Sequence, residues 1–180
     1  DRRGCDTGGV ELSEVGRGYP SVASVNLSAI ERNLAVLRAA SPTTIQMAVV
    51  KANAYGHGLI PVALASLKAG AQWLGVAQLA EALELRAGLD EAGIARKDAP
   101  IFAWISSTGT DFSTAIEADI DLSVSWTWVL DEICAAARAL GRPARVHVKI
   151  DTGMSRAGST LADLPELAQA LREAQDQGLI

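Results

Sequence analysis

Long apolar runs are missing from this 180-residue sequence, and none approaches the roughly 18 residues that would span a bilayer. Cysteine is scarce: Cys5 and Cys134 lie far apart with no CxxC spacing, which argues against a disulfide framework or a zinc site. No basic stripe is present, since 16 Lys and Arg oppose 21 Asp and Glu for a net charge of −5. Residues 1–9 lack the apolar core of a secretory signal. We therefore predict a soluble, cytoplasmic protein with neither membrane nor nucleic-acid partners.

The composition supplies enough apolar material for a core. Hydrophobic residues make up 49% of the sequence and charged residues 21%, which excludes disorder as the main state of the chain. Residues 1–18 contain five glycines and no sustained period, so we expect a flexible N-terminal tail, with one domain over residues 19–180. Residues 178–180 resemble the first step of another strand, and we expect the sequence to be a piece of something longer.

Short β-prone runs alternate with helical patterns. The predicted strands are 22–26, 44–50, 73–77, 101–105, 120–124 and 145–150, and the predicted helices are 28–40, 59–67, 79–87, 112–117, 126–140 and 163–177. Ser28 is the predicted N-cap of the first helix, Gly88 is the predicted end of the third, and the strand at 44–50 is predicted to be buried on both faces. Regular βα alternation predicts an α/β fold with parallel strands. An open doubly wound sheet and an incomplete (β/α)₈ barrel both fit, since a full barrel takes about 250 residues.

The first chemically informative stretch is AVVKANAYGHG, in which Lys51 directly follows an apolar strand. Functional groups in parallel α/β folds gather where strands end, and a partly desolvated lysine there suits imine chemistry. Tyr55 could reach a phosphate, and Gly56 and Gly58 would let backbone amides approach an anion near a helix start. The alternative is a structural lysine that extends from a strand end beside a tight turn.

The second stretch is HVKIDTGMSRAG. Strand parity places His147, Lys149 and Asp151 on one face, which we expect to point into the barrel or across its mouth. Arg156, just beyond the strand end, could bind a phenolate or carboxylate oxygen. An internal Lys149–Asp151 ion pair beside a solvated arginine is the structural alternative. His57 and His147 have no second ligand at metal-binding spacing, so no metal site is predicted.

Together these stretches resemble the bacterial alanine racemases. AVVKANAYGHG is similar to that family's pyridoxal-phosphate attachment signature over its whole length. HVKIDTGMSRAG is similar to a second block, whose lysine and arginine lie seven positions apart, as Lys149 and Arg156 do. The segment GVAQLAEALELRAGL is similar to the family's second barrel strand and helix. The resemblance runs from about residue 20 to the end.

The resemblance implies a fold-type III (β/α)₈ TIM-type barrel that is followed by a mainly β domain in a head-to-tail homodimer. On this basis the chain holds about five or six βα units, five of the eight barrel strands by the family's own count, and lacks the C-terminal β domain. The strand at 22–26 would belong with that domain rather than with the barrel.

The resemblance also implies roles for individual residues. Lys51 would hold pyridoxal 5'-phosphate as an internal aldimine and act as the catalytic base on one face of the substrate Cα, opposite a tyrosine from the partner's C-terminal domain. Tyr55 would bind the cofactor phosphate. Arg156 would bind the cofactor's phenolic oxygen and the substrate carboxylate, with Met154 also in the substrate site. Lys149 would be a candidate for carbamylation to N6-carboxylysine, facing Arg156.

The function that the resemblance implies is interconversion of L-alanine and D-alanine by two bases, which supplies D-alanine for peptidoglycan. A racemase for serine or another small amino acid, a non-catalytic pyridoxal-phosphate homeostasis barrel and a non-catalytic fragment are the alternatives. The long KANAYGHG loop and the Lys149/Arg156 pair favour the racemase over the homeostasis barrel.

Overall fold

The computed structural model describes residues 23–180, which form a parallel β-sheet with α-helices packed against it. Five parallel strands make one sheet in the order β1-β2-β3-β4-β5. The strands are β1 (Met47–Val49), β2 (Trp73–Gln78), β3 (Ile101–Ile105), β4 (Ile120–Val124) and β5 (Val146–Val148). The helices are α1 (Leu27–Ala40), α2 (Lys51–Gly56), α3 (Leu59–Lys68), α4 (Leu79–Glu91), α5 (Phe112–Glu117), α6 (Thr127–Leu140) and α7 (Leu164–Asp176), with a 3₁₀ turn at Arg96–Asp98. The predicted tail at 1–18 and the predicted domain start at residue 19 lie outside the described residues.

Curvature distinguishes the two predicted architectures. Neighbouring strands lie about 4.8 Å apart, so β2 and β5 would be about 14 Å apart in a flat sheet. Instead, the rings of Trp73 on β2 and His147 on β5 are 5.5 Å apart, centroid to centroid. Each strand also pairs with the next one in sequence, whereas a doubly wound sheet reverses its strand order. The fold is therefore a partial TIM-type barrel, as expected, and the doubly wound alternative is excluded.

The strand register separates an outer face under the helices from an inner face. One outer row runs through Ala48, Leu74, Ile101 and Ile120, and all four side chains are buried. The buried residues of the outer face are Ala48, Leu74, Val76, Ile101, Ala103, Ile120, Leu122 and Val124. The expected burial of β1 on both faces is wrong for the described residues: Met47 and Val49 lie on the inner face and are 38% and 41% exposed.

The beginning of the described chain differs from the prediction. Residues 23–26 form no strand within the described part and lead directly into α1. The cap of α1 is Asn26 rather than Ser28, since the Asn26 side chain accepts a hydrogen bond from the Ala29 N–H at 3.0 Å.

Two further differences concern glycines. Helix α4 continues through Gly88 to Glu91, although glycine within a helix costs about 1 kcal/mol relative to alanine. A Cβ at Gly88 would lie 2.3 Å from Cδ1 of Ile60 on α3, so Gly88 permits the close approach of two helices instead of ending one. The strand expected to begin at residues 178–180 is not formed. The Leu179 carbonyl there accepts a hydrogen bond from the Ala144 N–H at 2.9 Å.

A cluster of arginines surrounds Asp119, just before β4. Arg142 donates a hydrogen bond to its carboxylate, and nitrogens of Arg96 and Arg145 lie 3.6 and 3.5 Å from it. Burial by itself would raise the pKa of Asp119, but the charge and hydrogen bond of Arg142, together with Arg145 and Arg96, outweigh it and hold the pKa below its usual value.

Replacement of Asp119 by asparagine should lower stability in a pH-dependent way. A carboxylate with a depressed folded-state pKa stabilises the fold above its unfolded pKa of about 3.9, and that stabilisation is lost as the pH falls through the folded value. We expect a loss of about 1 kcal/mol at pH 7 that shrinks as the pH approaches 3, measured as the difference in thermal midpoint from wild type. Asparagine tolerates the φ of 55° at this position. Asp131→Asn, an exposed carboxylate, is the control, and a deficit that does not change with pH would contradict the prediction.

Candidate cofactor site

Lys51 stands at the carboxyl end of β1, where the predicted site begins. The residue before it, Val50, is buried, and its N–H donates to the Gly75 carbonyl oxygen on β2 at 2.8 Å. The chain is therefore held in the sheet up to the residue that precedes the lysine. The Lys51 side chain is half-buried, which matches the expected position at the mouth of the barrel.

The backbone after Lys51 is left-handed. Ala52, Asn53, Ala54 and Tyr55 have φ between 51° and 56° and ψ between 36° and 51°. Left-handed helical geometry costs an L-residue about 1–2 kcal/mol, and strained backbone of this kind persists only where its surroundings impose it. The residue types do not predict this turn, because only asparagine among the four favours that conformation.

Contacts on both sides hold the left-handed turn. The Ala54 N–H donates to the Val50 carbonyl at 2.8 Å, and the Ala54 side chain is buried in the core. The Asn53 side chain accepts a hydrogen bond from the Leu59 N–H at 2.7 Å, which satisfies the first free donor of α3. A carboxylate oxygen of Glu81 accepts a hydrogen bond from the Ala52 N–H at 2.6 Å.

Tyr55 ends the turn with its side chain in solvent. It is 60% exposed, and the Lys51 Nζ lies 5.9 Å from its ring centroid, a cation–π distance. Its hydroxyl is thus free to donate to an anion at this edge of the sheet. The Gly58 N–H already donates to the Asn53 carbonyl at 3.0 Å, so this amide is not free for an anion.

The parity predicted for β5 is confirmed at His147. This residue pairs in register with Ser123 on the inner face, and its Nε2 lies 2.9 Å from the Asp121 carboxylate. Asp121 is buried and also accepts a hydrogen bond from Arg145 Nε at 2.7 Å. His147 therefore belongs to a polar cluster inside the barrel.

Lys149 does not form the alternative ion pair with Asp151. The Asp151 carboxylate instead accepts hydrogen bonds from the N–H groups of Gly153 and Ser155 at 2.9 and 3.0 Å, and these bonds hold the pKa of Asp151 below its usual value. The Lys149 N–H extends the pairing with β4 by donating to the Val124 carbonyl at 2.8 Å. Its half-buried side chain has no ion-pair partner within residues 23–180.

Met154 and Arg156 lie on an exposed loop after β5. Hydrogen bonds between Ser159 and the backbone of Lys149 and Asp151, at 2.7 and 2.9 Å, close this loop. Met154 is 74% exposed, and Arg156 is exposed. Because the strands are parallel, this loop shares the carboxyl edge with Lys51. No hydrogen bond or ion pair joins Arg156 to Lys149 in the described part of the chain. The substrate and cofactor roles of Met154 and Arg156 therefore stay predictions.

Residues 23–180 contain neither a metal-binding cluster nor a helix that could cross a membrane. No three His, Cys, Asp or Glu side chains gather there closely enough to hold a metal ion. No helix in that range has both the length and the apolar character needed to cross a membrane.

The partial barrel and Lys51 at its carboxyl edge define an α/β-barrel domain with a primary amine at the place where such folds bind ligands. Residues 25–180 match the family model described as "Alanine racemase, N-terminal domain". The chain belongs to that family.

Curated relatives cover almost the whole chain. The alanine racemase of Beutenbergia cavernae is 51% identical over 162 residues, which are 90% of this chain and 41% of the relative. That of Frankia casuarinae is 46% identical over 168 residues, 93% of this chain and 42% of the relative. The chain therefore spans about two-fifths of the length of the curated relatives it matches.

Solved structures agree with the observed fold. The alanine racemase from D-cycloserine-producing Streptomyces lavendulae superposes with a TM-score of 0.79 at 50% identity, covering 85% of this chain and 38% of that structure. The enzyme from Streptomyces coelicolor A3(2) gives a TM-score of 0.81 at 45% identity, covering 85% and 39%.

Proposed function

We propose that the protein that contains this chain interconverts L-alanine and D-alanine with pyridoxal 5'-phosphate bound at Lys51. The observation that carries the proposal is the position of Lys51, which follows the buried Val50 at the carboxyl end of β1 and directly precedes a strained left-handed turn. Backbone strain is concentrated at ligand-binding sites. Membership of the alanine racemase family, at about 50% identity to curated relatives, supports the same reaction.

The side chains at the carboxyl edge fit pyridoxal phosphate. Lys51 supplies the primary amine that the cofactor's aldehyde requires. The exposed hydroxyl of Tyr55 suits the phosphate, and the guanidinium of Arg156 suits a phenolic oxygen or a carboxylate. These three residues would hold the cofactor and the amino acid.

When bound, the cofactor supplies an electron sink for the pair that remains on Cα after its proton leaves. Lys51 would remove or return the proton on one face of Cα. This is the face on which D-alanine carries its Cα proton. Arg156 would orient the substrate carboxylate, with Met154 beside it. Racemisation needs a second proton carrier on the opposite face, and we propose that a tyrosine from a partner subunit provides it, which requires a homodimer. A cytoplasmic location and a supply of D-alanine for peptidoglycan follow from this proposal.

Racemisation of the complete protein tests the proposal. Purified protein with added cofactor should exchange L-alanine and D-alanine, with L-serine as the parallel substrate. Faster exchange of serine would assign the enzyme to that amino acid instead. Tight cofactor binding without exchange of either amino acid would overturn the racemase proposal in favour of a non-catalytic barrel.

Carbamylation of Lys149 is a separate prediction. Its half-buried amine has no carboxylate partner within residues 23–180, and an unpaired internal cation is costly. Conversion to N6-carboxylysine would replace the cation with an anion that can orient Arg156. Lys149→Ala should then lower kcat roughly tenfold, the cost of one charge-assisted hydrogen bond, while the thermal midpoint stays close to wild type.

The control for that variant is Lys97→Ala, at an exposed position outside the site. A high-resolution density map of the protein in bicarbonate should show additional atoms beyond the Lys149 amine, within hydrogen-bonding distance of Arg156. A bare amine under those conditions would contradict the prediction.

A further inference from the structure

Glu81 is a charged residue at the carboxyl edge to which the proposed chemistry gives no role. It lies in the first turn of α4, directly after β2. Both of its carboxylate oxygens are used. Oε2 accepts hydrogen bonds from the N–H groups of Ala77 and Gln78 at 2.9 and 3.0 Å, and Oε1 accepts one from the Ala52 N–H at 2.6 Å.

These bonds give Glu81 two separate functions. The bonds to Ala77 and Gln78 satisfy backbone donors at the start of α4, as an acidic residue in a first turn commonly does. The bond to Ala52 does not serve α4 at all. It reaches the first left-handed residue of the turn, which directly follows Lys51.

The Ala52 contact anchors the turn to a different part of the barrel. In the described residues, the other side-chain hydrogen bonds of the turn come from Asn53 and His57, both of which lie in or next to it. Glu81 is the side chain that ties the turn to the β2–α4 unit. A charge-assisted bond is stronger than a neutral one, which suits a backbone that must be held in an unfavourable conformation.

The electrostatic surroundings keep this carboxylate ionised. Burial by itself would raise the pKa of Glu81, but hydrogen bonds from Gln78, Ala52 and Ala77 and the nearby charge of Lys51 outweigh it and lower the pKa below its usual value. The anion is therefore present throughout the neutral pH range.

We propose that Glu81 is a positioning residue of the cofactor site: through the Ala52 N–H it holds the left-handed turn and so fixes where the Lys51 amine and the Tyr55 hydroxyl stand before the cofactor arrives. The part of this inference that concerns the cofactor rests on the proposed function. The part that concerns the turn does not.

Two substitutions separate the functions of Glu81. Glu81→Asp keeps the charge at the start of α4, but its side chain is one methylene shorter and cannot also reach Ala52. Glu81→Gln keeps the length but has a single acceptor oxygen, which cannot serve Ala52 as well as Ala77 and Gln78. The matched control is Asp111→Ala, which removes a carboxylate cap from α5 on the same edge, where Asp111 accepts from the N–H groups of Ser113 and Thr114.

The first measurement uses the complete protein without cofactor. Amide hydrogen exchange of the peptide that spans residues 51–58 should be about tenfold faster in Glu81→Asp than in wild type, at an unchanged thermal midpoint. Asp111→Ala should leave exchange of this peptide unchanged. Wild-type exchange at residues 51–58 in Glu81→Asp would overturn the proposal and leave Glu81 as a helix cap only.

The second measurement adds pyridoxal 5'-phosphate. Glu81→Asp and Glu81→Gln should bind it about tenfold more slowly and give a weaker visible circular dichroism band, because the amine and hydroxyl are no longer held in one arrangement. Wild-type rates and bands in both variants would overturn the positioning role. If wild type itself binds no cofactor, the proposed function fails, while the hydrogen-exchange result still decides whether Glu81 holds the turn.

Discussion

Replacement of Lys51 by alanine in the complete protein should abolish the visible absorbance of covalently bound cofactor and lower racemisation on the order of 10³-fold or more. Lys51 is assigned both the attachment of the cofactor and the transfer of one Cα proton, and general-base catalysis alone contributes about 10² to 10⁴. The backbone is held in the sheet by the Val50 N–H, directly before Lys51, whereas the Lys51 side chain is only half-buried. The substitution should therefore leave the thermal midpoint of the cofactor-free protein nearly unchanged.

Chemical labelling provides the direct assignment. Borohydride reduction of the cofactor-loaded wild type should make the linkage permanent and place the label in the peptide that contains Lys51. Lys68→Ala and Lys97→Ala are matched controls, because Lys68 is exposed and contacts Glu31 at 3.0 Å and Lys97 is exposed in the 3₁₀ turn. Label at Lys68 or Lys97, or full absorbance in Lys51→Ala, would refute the assignment.

The second large effect concerns the opposite face of Cα. Residues 1–180 expressed alone should not racemise alanine, because two-base chemistry needs a second proton carrier. The sequence has two tyrosines, Tyr19 and Tyr55. Tyr55 lies in the same turn as Lys51, with its ring centroid 5.9 Å from the amine, and is assigned to the cofactor phosphate. Tyr19 lies outside the described residues and precedes the motif that carries the site.

Two controls make this result interpretable. The isolated 180 residues should first be shown to take up cofactor at Lys51 by borohydride labelling, so that inactivity is not a failure to fold. In the complete protein, Tyr19→Phe should racemise alanine at close to the wild-type rate. Racemisation by the labelled 180-residue chain near the rate of the complete protein, or loss of about 10² or more in Tyr19→Phe, would show that the second base lies within these residues.

Most helices and strands could be predicted from the sequence because each carries a local signal. The strands at 101–105 and 120–124 and the helix at 112–117 have the predicted bounds. These segments combine a clear apolar period with nearby turn or capping residues, such as Asp111 before α5. Predictions failed where a local signal had a tertiary cause. Gly88 resembles a helix stop, but it is a point of close contact with Ile60.

The site was predicted only in part, for the same reason. The sequence order places Lys51, Tyr55 and Arg156 after strand ends, and parallel strands bring such residues to one edge. The left-handed turn could not be predicted, because alanine and tyrosine do not favour that conformation. Glu81 was missed as well, although it lies within a segment that resembled the family. Its partner Ala52 is 29 positions away in the chain, and a helix cap is the ordinary explanation for a glutamate in a first turn.

By itself the sequence determined the α/β class, the βα rhythm and the family, because these depend on short-range patterns and on motifs that are contiguous in the chain. The local patterns left barrel and doubly wound sheet open, and the family resemblance implied the barrel. The tertiary structure decided the question, since the contact of Trp73 with His147 joins strands that are not neighbours. It also decided that Asp151 caps its own loop instead of pairing with Lys149. Both outcomes depend on which side chains and backbone groups come into contact in the folded chain. Those contacts are not encoded in any local stretch of residues.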